Sequence, residues 1–144
     1  MLTDALTTFD LNASLTSAVA ATLLPSTNTI DLSQSRDIGP GDVPFSVIFT
    51  TLPTSGTGGA TINVALQTSA DNSTWTTIEE SGAQVLTGFS TTNYWAFRGT
   101  VPATVQRYLR IGYTASATLT AGVVTAQIGG EWPRSKAYPR NYVA

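Results

Sequence analysis

Few residues in this chain could carry acid–base, nucleophilic or metal chemistry. It contains no histidine and no cysteine. The commonest general base and the commonest nitrogen ligand for metals are therefore missing, as are disulfides and thiolate sites. Catalysis would have to run on carboxylates, hydroxyls, tyrosine, arginine or the single lysine, Lys136. Glu79-Glu80 is the one adjacent carboxylate pair. On a strand such neighbours point to opposite faces and do not share a substrate, so a solvated strand end is the plainer reading. Asp31, Asp37 and Asp42 would suit calcium if a loop gathered them with carbonyl oxygens. They lack a compact ligand spacing, and capping of turns accounts for them better. The glycine-rich Ser55-Gly56-Thr57-Gly58-Gly59 has neither the Gly-Lys-Ser/Thr ending nor the following helix of a phosphate loop. A serine nucleophile would need Lys136 as its base, in a stretch broken by prolines. The sequence thus offers no catalytic residue, no metal ligand set and no cofactor site, and a non-enzymatic role is expected.

The aromatic and arginine residues are more informative. Trp75 follows the polar turn Asp71-Asn72-Ser73-Thr74. It could stack on a sugar ring, though packing at the core or its edge is the expectation. Tyr94, Trp95 and Phe97 carry the same ambiguity. Arg107 and Arg110 flank Tyr108, either as subunit contacts or as plain surface. Trp132, Tyr138 and Tyr142, with Arg134 and Arg140, are residue types typical of binding hot spots. Exposing so many large side chains on a terminus is unfavourable, so burial against another subunit is expected, the alternative being an arm folded back on its own domain. At the other end Leu2, Leu6 and Phe9 have the i, i+4, i+7 spacing of a short helical stripe and are further candidate contacts.

These residues must be positioned by strands. Ile62, Val64 and Leu66 share one face of 61–68, and Thr61, Asn63, Ala65 and Gln67 the other, which marks a half-buried strand. Phe45, Val47 and Phe49 repeat the alternation, with Ile48 implying some cover on the opposite face. Leu109, Ile111 and Tyr113 alternate with Arg110, Gly112 and Thr114, and Val124, Ala126 and Ile128 with Thr125 and Gln127. Further strands are expected at 19–24, 29–32, 75–79, 84–86 and 94–98. Gly39-Pro40-Gly41-Asp42, 55–59, 70–73, Ser81-Gly82, 99–102 and Ala121-Gly122 separate them. Eight to ten short strands at regular spacing suit an antiparallel sandwich or barrel. Two prolines fit residues 131–142 poorly into any sheet. The expected organisation is one domain over 1–130, its first 16 residues included, and an extended arm over 131–144.

Composition narrows the function classes. Charged residues make up 11% of the 144, against about 25% in ordinary soluble domains. Such a neutral, hydroxyl-rich surface suits a protein packed among neighbours. The net charge is −2, with +2 in residues 131–144 and −4 in the rest. An acidic body lacks the basic footprint of general nucleic-acid binding. No basic segment precedes an apolar run near the N-terminus, and the run at 18–24 is too short to span a bilayer.

Four stretches stand out together: Met1-Leu2-Thr3-Asp4-Ala5-Leu6; Thr29-Ile30-Asp31-Leu32 with Arg36-Asp37-Ile38-Gly39; Ala60 to Asp71; and Arg107-Tyr108-Leu109-Arg110-Ile111-Gly112-Tyr113-Thr114 running on to Ala126. They resemble the small jelly-roll cement proteins of tailed phages, of the type known from a Bordetella phage. Residues after Gly130 have no counterpart in that pattern. The resemblance implies an all-β, antiparallel jelly-roll of about eight strands with extended terminal arms. It also implies attachment to the major capsid protein outside an HK97-type shell, and no catalytic residues. A dimer or trimer is expected from lattice symmetry. The rival expectation is a carbohydrate-binding jelly roll on the virion surface. The turn at 71–75 and the run Arg107–Ile111 also resemble discoidin-like modules.

Overall fold

The computed structural model describes residues 6–34, 43–91 and 94–129, with the side chain of Tyr94 outside that set. Ten strands follow in order: β1 (Thr8–Ser14), β2 (Leu23–Pro25), β3 (Ile30–Asp31), β4 (Pro44–Ser55), β5 (Thr61–Ser69), β6 (Thr76–Glu80), β7 (Gln84–Val85), β8 (Tyr94–Thr100), β9 (Tyr108–Ala115) and β10 (Leu119–Ile128). Leu86–Gly88 forms one 3-10 turn, and no α-helix occurs among the described residues.

All pairings are antiparallel. One sheet runs β1-β10-β4-β8. The other runs β2-β9-β5-β6, with β3 continuing the row of β2 on β9 and β7 continuing the row of β6 on β5. Counting those two pairs as broken single strands leaves eight. The chain crosses between sheets at every connection except the β5–β6 hairpin and the breaks within those rows. That order is the two-Greek-key arrangement of a jelly roll. The sandwich and jelly-roll expectations therefore hold.

Alternation sets the core. Ile62, Val64 and Leu66 of β5 meet Leu109, Ile111 and Tyr113 of β9 on the inner side of one sheet. Val47 and Phe49 of β4, with Val124 and Ala126 of β10, line the inner side of the other. All are at most 1% exposed, and each full burial of a large apolar side chain is worth about 1.5–3 kcal/mol. Edge-to-face contacts of Phe45 with Phe97 (5.0 Å) and Phe49 with Phe89 (5.1 Å) close the β8 side.

Two departures from regular ladders have visible causes. Asn12 (φ 51°) marks a bulge in β1, where its N–H donates to Thr125 Oγ1 at 3.1 Å. Gly122 (φ 143°) marks an irregularity in β10, where an added Cβ would lie 3.1 Å from Pro53 Cα.

The helical spacing of Leu2, Leu6 and Phe9 does not become a helix over its described part. Residues 6 and 7 form a turn, and Phe9 lies on β1, inward and 1% exposed. The strand expected at 19–24 shrinks to Leu23–Pro25, because Ala21 (φ 57°) reverses the chain and leaves Val19 at the surface.

Candidate functional site

The expected contact residues separate into three groups. Leu6 is 74% exposed. Phe9 is a correction: its ring belongs to the core of its own domain, so it is not a surface contact. Leu2, Trp132, Arg134, Tyr138, Arg140 and Tyr142 lie outside the described residues. Besides Val19 and Val85, at 55% and 46% exposure, a third exposed apolar residue was not anticipated: Leu11, 56% exposed, on β1 at the sheet's edge. The β1 alternation Phe9-Asp10-Leu11 would not have singled it out, because Asp10 is buried as well.

Asp10 is the most enclosed carboxylate described, at 2% exposure. Its Oδ2 accepts the Tyr113 hydroxyl at 2.7 Å, and its Oδ1 accepts the Thr27 N–H at 2.7 Å. The bond to Tyr113 ties β1 of one sheet to β9 of the other. Burial pushes the Tyr113 hydroxyl well above its usual pKa, and the neighbouring Asp10 charge adds to the shift. This pair closes the core. It has no opening to a substrate, because both side chains are sealed.

Asp31 receives a two-pronged bond from Arg107, Nε to Oδ1 at 2.9 Å and Nη2 to Oδ2 at 2.8 Å. That bond, helped by the Ser33 N–H, lowers the Asp31 carboxyl to about 2. The Arg107 guanidinium also lies 4.8 Å from the Tyr108 ring centroid. Asp37 and Asp42, the other members of the suggested calcium set, lie outside the described residues. Among the described residues no three carboxylates converge.

On the outward side of the second sheet, Arg110 donates from Nε to Gln67 Oε1 at 2.8 Å and lies 4.1 Å from the Trp75 ring centroid. Gln67 passes the chain on to Thr77 Oγ1 at 3.2 Å. Burial lowers the Arg110 pKa. Trp75 thus packs at the sheet surface, with one face of its ring taken by a guanidinium and not free for a sugar. The turn before it is held by Asp71, whose carboxylate accepts N–H groups from Thr74 and Ser73 and hydroxyls from Ser69 and Ser73. Those bonds pull its pKa well below the usual range.

Glu79 and Glu80 pair with Leu66 and Ala65 respectively, and so face opposite sides of β6. Glu80 accepts from Asn63 Nδ2 at 2.9 Å. Ser55–Gly59 forms the crossing between the sheets, with Ser55 Oγ bonded to Thr118 O at 2.9 Å and Thr57 N–H bonded to Ser55 Oγ at 3.2 Å. A cleft of about 590 Å³ between the free edges of β8 and β6 is lined by Glu80, Gln84, Trp95 and Arg98 among others. It is spanned by a bond from Gln84 Nε2 to Ala96 O at 3.0 Å.

The polar groups named above hold turns, ladders and the sandwich seam, whereas Thr8 Oγ1 and Ser46 Oγ are buried without a hydrogen-bond partner. None is arranged as an acid facing a base across a cavity.

A family model named Bbp16 matches residues 13–128. No curated protein matches the chain.

Proposed function

The chain belongs to the Bbp16 family, whose name points to a Bordetella phage protein, and from that premise we propose that it is a capsid cement, or decoration, subunit. In this reading it binds the major capsid protein on the outer surface of the shell, as a dimer or trimer, and does no catalysis. The observation that carries the reading is the pair Leu6 and Leu11, 74% and 56% exposed, the first just before and the second on the edge strand β1 of the jelly roll. An edge strand with exposed apolar side chains is a site for pairing with another chain unless it is covered. Residues 131–144 add aromatic and arginine side chains of the kind that anchor interfaces.

The mechanism is mass action. A shell strained by packaged DNA separates at its subunit junctions. A subunit that binds only the intact lattice stabilises that state in proportion to its occupancy. Only hydrophobic contact and shape are required, which agrees with a chain so poor in charge.

The test is binding of purified protein to shells stripped of it, read by co-sedimentation and by the temperature at which DNA is released. The wild-type chain should bind saturably and raise the release temperature. Leu6→Asp/Leu11→Asp should weaken binding by about tenfold or more, consistent with losing about 1.5–3 kcal/mol per buried side chain. Failure of the wild-type chain to bind such shells would refute the reading. Saturable binding to a glycan array in its place would favour a carbohydrate-binding module.

A further inference from the structure

The edge strand β8 carries a bulge. Val47 pairs with Phe97 and Ile48 with Trp95, so Ala96 is an extra residue between the two pairs. A bulge bends its strand and re-aims the side chains beside it. Here Phe97 is turned inward, where its ring meets Phe45 edge to face at 5.0 Å, and Trp95 stays outward beside Ile48. Both aromatics therefore reach the free edge of the strand, and both line the cleft of about 590 Å³ that separates it from β6. That volume falls in the range of about 300–1,000 Å³ usual for ligand sites. Glu80, Gln84 and Arg98 bring planar polar groups to the same cleft.

We propose that this cleft binds a neutral oligosaccharide. A sugar ring presents a C–H face that packs on an aromatic ring, and neighbouring hydroxyls that both donate and accept hydrogen bonds. The half-buried Trp95 supplies the ring. Gln84 is held in place by its Nε2 bond to Ala96 O at 3.0 Å, which leaves Oε1 as an acceptor. Glu80 uses Oε2 for Asn63 and keeps Oε1 as a second acceptor. Arg98 is exposed, stands 5.4 Å from the Trp95 ring centroid and makes no hydrogen bond among the described residues, so its N–H groups are donors at hand. Trp75 differs, because Arg110 lies nearer, at 4.1 Å, and is pinned by Gln67. Charge excludes the acidic sugars. Besides Glu80, Glu79 approaches from β6, its Oε2 3.0 Å from where a Cβ on Gly99 would stand, so an anion would meet two carboxylates for one guanidinium. An extended peptide is the poorer occupant. The bulge interrupts the edge it would join, and Gln84 already occupies the Ala96 carbonyl it would need. The cleft lies at the opposite edge of its sheet from β1, so sugar and shell contacts do not compete, and the inference stands whether or not the capsid reading holds.

The test is an array of neutral and acidic oligosaccharides probed with the full chain, followed by titration calorimetry with the neutral oligosaccharide that binds best. Saturable binding to neutral members is expected. Trp95→Ala should weaken it by about tenfold or more, and Glu80→Ala/Gln84→Ala by a similar factor, while Trp75→Ala should leave it within about twofold. Should Trp95→Ala lose its cooperative thermal transition, the exposed-side pair Glu80→Ala/Gln84→Ala decides alone. An array without a neutral ligand would overturn the proposal. So would binding confined to acidic members, binding unmoved by the cleft variants, or binding lost equally in Trp75→Ala. Leu6→Asp/Leu11→Asp should bind the sugar as the wild type does. Sugar binding without shell binding would sink the capsid reading and leave this one standing; shell binding without sugar binding would do the reverse.

Discussion

Replacing Tyr113 with phenylalanine removes one oxygen from the seam between the sheets, and its cost follows from what that oxygen does. The hydroxyl donates to Asp10 Oδ2 at 2.7 Å, with Tyr113 1% and Asp10 2% exposed. Without it the carboxylate keeps one direct bond, from the Thr27 N–H. No solvent is at hand to replace the other. Hydrogen bonds to charged groups are worth about 1.5–3 kcal/mol, and the ring still fills its space, so no large cavity adds to the loss. We therefore expect Tyr113→Phe to destabilise the protein by about 2 kcal/mol, which lowers Tm by about 4–8 °C for a chain of this size. Urea unfolding should show a lower midpoint with an unchanged slope, because the surface exposed on unfolding is the same. The pairwise origin is checked by a double-mutant cycle with Asp10→Asn. A bonded pair should give a coupling of about 0.5–3 kcal/mol. A Tm within about 1 °C of wild type, or additive single and double variants, would show that the contact does not hold the sheets together.

Three further outcomes follow from the same structure. Gly122→Ala should cost about 1–3 kcal/mol by thermal unfolding, since it puts a side chain at φ 143° with its Cβ 3.1 Å from Pro53 Cα. Gly56→Ala, with open space around its Cβ, should leave Tm within about 2 °C of wild type. Phe9→Ala should lose about 3–5 kcal/mol because the ring is a core element, and Leu6→Ala less than about 0.5 kcal/mol in the free subunit because that side chain is exposed; the reverse order in urea titrations would overturn the assignment of the two. Stability should also fall in alkali. Tyr113 binds its proton more tightly folded than unfolded, so its contribution is complete below about pH 10 and is lost as pH climbs towards the folded value. Tyr113→Phe should flatten that part of the pH–stability curve, and an unchanged slope would refute the assignment.

The sequence revealed the sheet material better than its arrangement. β5, β9 and β10 were legible because strict alternation has one cheap explanation, a strand with a dry face. β4 was legible for the same reason, and buried Ile48 on its other face was already a sign of cover there. What alternation cannot encode is which strand pairs with which. The order β1-β10-β4-β8 brings residues more than a hundred positions apart into contact, as in the bond from the Asn12 N–H to Thr125 Oγ1. The N-terminal error has a definite cause. Two leucines and a phenylalanine at helical spacing also fit a turn followed by an edge strand, and here tertiary pairing with β10 decides. Trp75 was readable as an aromatic after a turn. Its partner Arg110 was not, because it comes from β9, across β5 from the β6 hairpin.

The scarcity of charge takes on a physical meaning once the faces are distinguished. A sandwich with two wet outer faces would need charged or strongly polar side chains along both. Here the outward positions hold Ile48, Thr125 and Ser46 on one sheet, and Ala65, Gln67 and Gly112 on the other, all of them buried. On the second sheet the cover is visible. Leu23 lies over Gly112, whose added Cβ would come within 2.9 Å of the leucine Cδ1, and Trp75 with Arg110 shields Gln67. That sheet supplies its own lid from its edge strands and turn. The first sheet has a counterpart in Trp95, which stands beside Ile48 on the ladder with the Arg98 guanidinium 5.4 Å from its ring centroid, and its edge strand β1 exposes Leu11. The outer faces of both sheets are therefore closed over short apolar, hydroxyl and amide side chains, which accounts for a chain with 11% charged residues.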